Sequence, residues 1–169
     1  MATELYDLTV PALLRGFKAM AAFLEKARAH ADEHGIAHGD LLTARLYDDM
    51  APLTGQIQRA SDTAKFTASR LSGIQPPAMP DTEASFDDLQ ARIAATVAFL
   101  NSVPREAIDG REDADVELKT QLFSIPFKGR GYLLDFALPN FYFHVTTAYA
   151  ILRHKGVPLG KMDYIGGMG

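Results

Sequence analysis

Four stretches of this chain repeat apolar residues every three to four positions, and each is closed by glycine or proline. Such stripes have to be buried against one another, which points to helices packed on helices. The first stripe is Val10, Leu13, Phe17, Met20, Leu24, Ala27 and Ala31. Thr9 is its predicted N-cap, Pro11 falls in its first turn, and it runs to about His34 before Gly35. The second opens at Pro52, carries Leu53, Ile57, Ala60, Ala64, Ala68 and Leu71, and stops at Gly73. The third carries Phe86, Leu89, Ile93, Val97 and Leu100 behind Ser85, with Asp88 completing an approximate capping box, and ends before Pro104. The fourth begins near Gly131 and ends near Lys155, where Gly156 and Pro158 are stop signals.

The connections carry their own signals. Asp40 is placed to cap a brief turn through "LLTARL". The prolines of "IQPPAMPDTEA" remove backbone donors and fix φ, making that segment a surface link. In "VELKTQLFSIPF" the alternation of apolar and polar residues predicts a small β-hairpin before the last helix. Pro139 lies inside the fourth stripe and predicts a kink or two abutting helices, with Leu138 pushed out of the αR region. Up-down-up-down is the simplest topology for four such helices, with one crossover connection as the alternative. The expectation is an all-α four-helix bundle spanning residues 1–169 as a single domain, closed by a docked or frayed tail, "KMDYIGGMG".

Composition removes several function classes. Seventeen Lys and Arg against 21 Asp and Glu leave a net charge of -4, with no general attraction for nucleic acid or an anionic membrane surface. The absence of cysteine excludes disulfides, thiolate metal sites and a cysteine nucleophile. "MATELYDLTVPALLRG" does not read as a secretory signal and no run reaches membrane-spanning length, so the expected location is the cytoplasm. No phosphate-binding loop, nucleophile elbow or H-E-x-x-H motif is present.

The chemistry is concentrated in "ALPNFYFHVTTAYAILRHKG". At about 100° per residue, His144 shares a face with Leu133, Ala137, Phe141, Ala148, Ile151 and Leu152, so it points inward. Asn140 precedes it by four positions and stacks on the same face. A buried amide or imidazole without a partner costs roughly 1–3 kcal/mol. Both therefore need a core partner, a water or a ligand, and core satisfaction stands beside a polar pocket as the two readings. In the second helix Gln56 lies at the edge of the apolar stripe and can face the same cavity, whereas Gln58 and Asp62 project away from it. His30, His34 and His38 gather around the end of the first helix, and His154 sits in the last turn of the fourth, where imidazolium suits the helix dipole. Phe141 and Phe143 read as core, and Tyr142 and Tyr149 as packing on a neighbouring segment such as the hairpin, or on a second subunit. "GREDAD" lacks the spacing of a calcium loop and reads as solvated.

Through "YLLDFALPNFYFHVTTAYAILRHKGVPLGKMDY", "LYDLTVPALLRGF", "MAPLTGQIQRASDTAKFTASRLSG" and "SFDDLQARIAATVAFL", nearly the whole chain resembles a bacterial family of domains of unknown function grouped with the DinB/YfiT-like four-helix bundles. The resemblance implies that fold and a homodimer. It also implies the site of the wider group, where one histidine from the second helix and a His-x-x-x-His pair from the last hold a divalent metal, some members being thiol transferases or isomerases. Aligned on "LRHKG", Asn140 stands at the first position of that pair and His144 at the second, with Gln56, or Gln58 in another register, at the second-helix position. Amide oxygens bind such metals weakly beside imidazole. The expected function is that of a small-molecule-binding or non-catalytic relative with a degenerate metal site: ligand residues His144, Asn140 and Gln56, no metal and no other cofactor. The alternatives are a divalent-metal enzyme using His144, and an interaction protein using its aromatic groove and hairpin.

Overall fold

The computed structural model describes residues 4–119 and 123–165. Helix α1 spans Leu5–His34, α2 His38–Leu42, α3 Leu53–Ser72 and α4 Phe86–Ser102. Strands β1 (Asp115–Lys119) and β2 (Ser124–Lys128) follow, then α5 (Gly129–Gly131), a π-helical segment at Tyr132–Ala137, α6 (Leu138–His154) and α7 (Lys161–Ile165). The predicted all-α bundle with a small hairpin is the observed architecture.

Local signals place most helix ends, and two fail where tertiary contacts take over. Ser85 Oγ accepts from Asp88 N at 3.1 Å while Asp88 Oδ2 accepts from Ala84 N at 3.0 Å, a reciprocal cap displaced by one residue from the usual box. Gly35 (φ 64°) and Gly73 (φ 79°) close α1 and α3 in the left-handed conformation their sequence position suggests. Thr9, however, is interior: α1 starts four residues earlier, and the Thr9 hydroxyl donates to Leu5 O at 2.7 Å. The amide of Tyr6 in that extra turn is received by Asp109 Oδ1 at 2.9 Å, a partner 103 residues away that no local reading supplies. Asp40 likewise lies inside α2, with Ala37 at the cap position.

Pro139 is accommodated in a third way. Leu138 keeps αR geometry (φ −66°, ψ −46°), contrary to expectation, and its N–H bonds to Leu133 O, five residues back. The wider π turn lies directly upstream of the proline, where the pyrrolidine ring would crowd the preceding turn of a regular helix. Residues 129–154 therefore pass through three contiguous helical segments.

Side-chain pairs fix the direction of each long helix. Ala12 with Tyr142, Phe17 with Phe141 and Phe23 with Tyr149 set α1 and α6 parallel. Gln90 with Ala21 and Asp87 with Arg28 set α4 antiparallel to α1. Gln56 with His144, Thr63 with Asn140 and Thr67 with Tyr132 set α3 antiparallel to α6. The topology is thus up-down-down-up, with α1 and α3 on one diagonal, which corrects the simpler up-down-up-down expectation in favour of a crossover. The crossover is the proline-rich link after Gly73. Met79 Sδ lies 3.8 Å from Ser61 Oγ and 3.6 Å from Thr96 Oγ1, and Glu83 accepts from Gln58 Nε2 at 2.8 Å. The link therefore retraces α3 toward its start, in the extended form that proline favours.

The hairpin pairs Asp115 with Lys128 through Lys119 with Ser124 and buries Val116 and Leu118. Residues 120–122, between the two strands, lie outside the described residues. The tail docks through α7, with Lys26 to Asp163 at 2.5 Å and Thr146 Oγ1 to Tyr164 OH at 2.8 Å; residues 166–169 lie outside the described residues. Among the described residues, no helix is long and apolar enough to cross a membrane.

Candidate functional site: a polar pocket between α3 and α6

His144 is buried at 9% exposure, as the helical period predicts. Its Nδ1 lies 2.8 Å from Gln56 Oε1. Gln56 is itself fixed, because its Nε2 donates to Ala51 O at 2.9 Å and so turns the carbonyl oxygen toward the ring. An oxygen can only accept, so Nδ1 carries the proton and Nε2 keeps its lone pair. Nε2 has no hydrogen-bond partner among the described residues. Burial, reinforced by the nearby positive charge of Arg59, pushes the His144 pKa down to about 4, so the ring is neutral at neutral pH.

Asn140 is oriented by the same logic. Thr63 Oγ1 donates to Arg59 O at 2.7 Å and therefore receives the Asn140 amide, Nδ2, at 2.7 Å. Asn140 Oδ1 is left as an acceptor. Both residues line an open cavity of about 310 Å³ between α3 and α6, bordered by Leu118 of the hairpin. Gln56 is brought to His144 but stands behind the ring, outside the cavity wall.

The remaining lining is not marked by the apolar periods of the sequence. Arg59, Asp62, Thr63, Phe66 and Arg70 form a second stripe on α3, and Tyr132 and Phe136 come from the π segment. Repeating the angular count about Thr63 would have found the α3 stripe, whose spacings of four, seven and eleven from Arg59 are those of one helix face. Asp62, expected to face away, reaches the edge of this wall, which is the partly exposed side of α3: Arg59 and Phe66 are exposed and Asp62 is half-buried. Its Oδ1 is nevertheless taken by Lys65 and Arg92, each at 2.9 Å. Gln58 turns to Glu83, as its direction suggested. Arg70 Nη1 donates to Tyr132 OH at 2.9 Å, and its guanidinium lies 5.3 Å from the Phe66 ring centre and 5.7 Å from that of Tyr132. Neither Arg59 nor Arg70 has a carboxylate within ion-pair distance among the described residues.

Other predicted positions fall elsewhere. Phe143, expected in the core, is 55% exposed, one step out of phase with Phe141. Tyr142 donates to Ala12 O at 3.3 Å, and Tyr149 packs on Phe23 and Tyr164, so α1 and α7 cover them and the hairpin does not. His30 and His34 stack on each other, and His38 pairs with Asp32 at 2.8 Å on the surface. His154 is exposed, and "GREDAD" is a mostly exposed loop whose Glu112 O receives the Arg130 amide. Among the described residues no group of three or more His, Cys, Asp or Glu is placed to hold a metal ion.

The depressed His144 pKa makes a prediction for stability. The ordinary value of 6.5 applies when the chain is unfolded and about 4 when it is folded, so the unfolded state binds more protons between those limits. The stabilisation is complete above pH 6.5 and is lost as pH falls toward 4. The full linkage is about 3 kcal/mol, reduced to about 2 kcal/mol because one ring edge opens on the cavity. Urea denaturation of wild type and His144→Gln at several pH values checks this: the wild type should lose that extra stability across the window, and the variant should not.

The crystal structure of a DinB family member protein from Shewanella denitrificans superposes with a TM-score of 0.90 at 36% identity, covering 97% of this chain and 93% of that one. Residues 5–165 match the family described as "Domain of unknown function (DUF1993)", and the chain belongs to that family. Among curated proteins, none matches the chain.

Proposed function

We propose that this DinB-like protein is a small-molecule-binding relative in which the metal position of the wider group has become a metal-free polar pocket. One observation carries the reading. His144 Nδ1 and Asn140 Nδ2 are committed to Gln56 and Thr63, so these two offer a cation one imidazole nitrogen and one amide oxygen, and the carboxylate lining the cavity, Asp62, is already paired with Lys65 and Arg92. A divalent transition metal is normally held by three or more strong protein donors, and a neutral amide is a poor substitute for imidazole. Gln56, at the third position of the pattern, spends its oxygen on His144. Two guanidinium groups, Arg59 and Arg70, line the same cavity and oppose a cation further. The residues present do not fit the group's metal.

His144, Asn140 and, through its hold on the ring, Gln56 are the ligand-site residues of this proposal. Elemental analysis of the purified protein, followed by calorimetric titration with Ni²⁺ and Zn²⁺, tests it. The expected result is less than stoichiometric metal as isolated and no saturable binding that His144→Ala abolishes. One equivalent of metal, lost in His144→Ala, would overturn the metal-free reading and support the divalent-metal enzyme instead.

A further inference from the structure

We propose that the α3–α6 cavity takes a small organic carboxylate with a flat apolar body and a hydrogen-bond donor at the end remote from the carboxylate. The inference rests on the metal-free reading of the same site and adds the class of ligand. Its ground is the asymmetry of the cavity.

At one end two groups can only accept. Gln56 holds the proton of His144 on Nδ1, so Nε2 presents a lone pair, and Thr63 consumes the Asn140 amide, so Oδ1 presents another. A hydroxyl or N–H placed there would be received, whereas a carboxylate would meet two lone pairs; Arg59 lies at this end too, but its Nη1 is turned back to Gly55 O at 3.3 Å. At the other end Arg70 has no carboxylate partner among the described residues, although the chain as a whole carries an acidic excess. Its guanidinium is held by Tyr132 OH at 2.9 Å and lies against the rings of Phe66 and Tyr132, so little conformational freedom is left to lose on meeting an anion. A guanidinium has five donors in a fixed fork, and this one uses one of them within the protein.

Between the two ends the wall is aromatic. Phe66 and Phe136 line the cavity, and Phe136 stacks on Tyr132 with ring centres 5.9 Å apart and planes 27° from parallel. Thr63 marks the accepting end and Arg70 the cationic end, seven residues apart on α3, which is about 10 Å along the helix axis. A single six-membered ring bearing a short acid arm, with one hydrogen bond at each end, spans that distance. A volume of about 310 Å³ accommodates such a molecule with water to spare.

Calorimetric titration of the full chain with para-hydroxyphenylacetate, phenylacetate and para-hydroxyphenylethanol tests the assignment. The first carries both polar ends, the second lacks the donor, and the third lacks the carboxylate. The expected result is saturable one-to-one binding of para-hydroxyphenylacetate, at least about tenfold tighter than either analogue. Arg70→Gln should erase its advantage over the ethanol, and His144→Phe its advantage over phenylacetate. Thermal melting establishes that each variant is folded, and if one is not, the wild-type ranking decides alone. Equal affinity for all three, or no saturable binding of any, overturns the ligand class. With the protein metal-free, such a result leaves the metal-free reading standing; stoichiometric metal at His144 would remove that reading itself.

Discussion

Replacing Arg92 with alanine is expected to destabilise the fold by about 3–5 kcal/mol, read as a fall in the urea midpoint. Its side chain is 2% exposed, yet it faces three carboxylates: Asp62 at 2.9 Å, Asp81 at 2.9 Å and Glu83 at 2.8 Å. The three differ in how much they depend on it. Asp81 is 58% exposed and Asp62 36%, so water can take over much of their solvation, whereas Glu83 is 9% exposed. Burial opposes ionisation of Glu83, but hydrogen bonds from Arg92 and Gln58 hold its pKa below the ordinary value. Removing the guanidinium leaves that charge stranded, and it is the stranded partner, more than the lost attraction, that makes such deletions costly. A companion variant separates the two contributions. Arg92→Met keeps the volume and removes the charge, and adding Glu83→Gln removes the stranded carboxylate. The double variant should recover a good part of the loss; if Arg92→Met alone is as stable as wild type, Glu83 is solvated and the account is wrong. The consequence extends to the pocket, because Arg92 fastens the returning link to α3 and α4 and draws on the Asp62 oxygen that would otherwise offset Arg59 and Arg70.

Which features could be read without coordinates follows from how far each depends on distant residues. The stripes of α1, α3, α4 and α6 are consequences of a 3.6-residue period acting within one segment, and they appear where the period places them. The inward direction of His144 is the same kind of inference and holds for the same reason. The start of α1 is not, because the amide of Tyr6 is satisfied by Asp109, far along the chain. The crossover stands only as an alternative in the sequence for a related reason: "IQPPAMP" announces an extended link but not the direction it takes, which is fixed by Met79 and Glu83 reaching back to Ser61 and Gln58. The pocket was half legible. Its accepting end lies on the regular part of α6, whereas Tyr132 and Phe136 sit in a π turn, whose longer hydrogen-bonded ring widens the inward face. An angular count carried upstream at 100° per residue puts Leu133 and Ala137 in the core, where they are, but leaves out Tyr132, which is also fully buried.

That dependence of the site on α6 makes the contact with α1 the other sensitive point. Phe141→Ala is expected to destabilise the protein by about 3–5 kcal/mol, since the ring is fully buried and packs edge-on against Phe17 with centres 5.2 Å apart. The ring occupies the place where a side chain on Gly16 would be: a Cβ there would lie 2.7 Å from Phe141 Cζ. Gly16→Ala should accordingly cost about 1–3 kcal/mol through overpacking, although the added methyl also improves helix propensity. The two positions share one volume, so their effects cannot be independent. In a double-mutant cycle, Gly16→Ala combined with Phe141→Leu should be less destabilised than the sum of the single changes by about 0.5–1 kcal/mol or more, because the smaller side chain clears space for the methyl. Strict additivity would mean that α1 and α6 do not meet at this point. Phe141 also follows Asn140 directly and precedes His144 by three residues, so a shift of α6 at Gly16 carries both acceptors with it. Gly16→Ala should thus weaken carboxylate binding in a protein that still unfolds cooperatively, and Phe141→Leu should restore part of that affinity together with the stability.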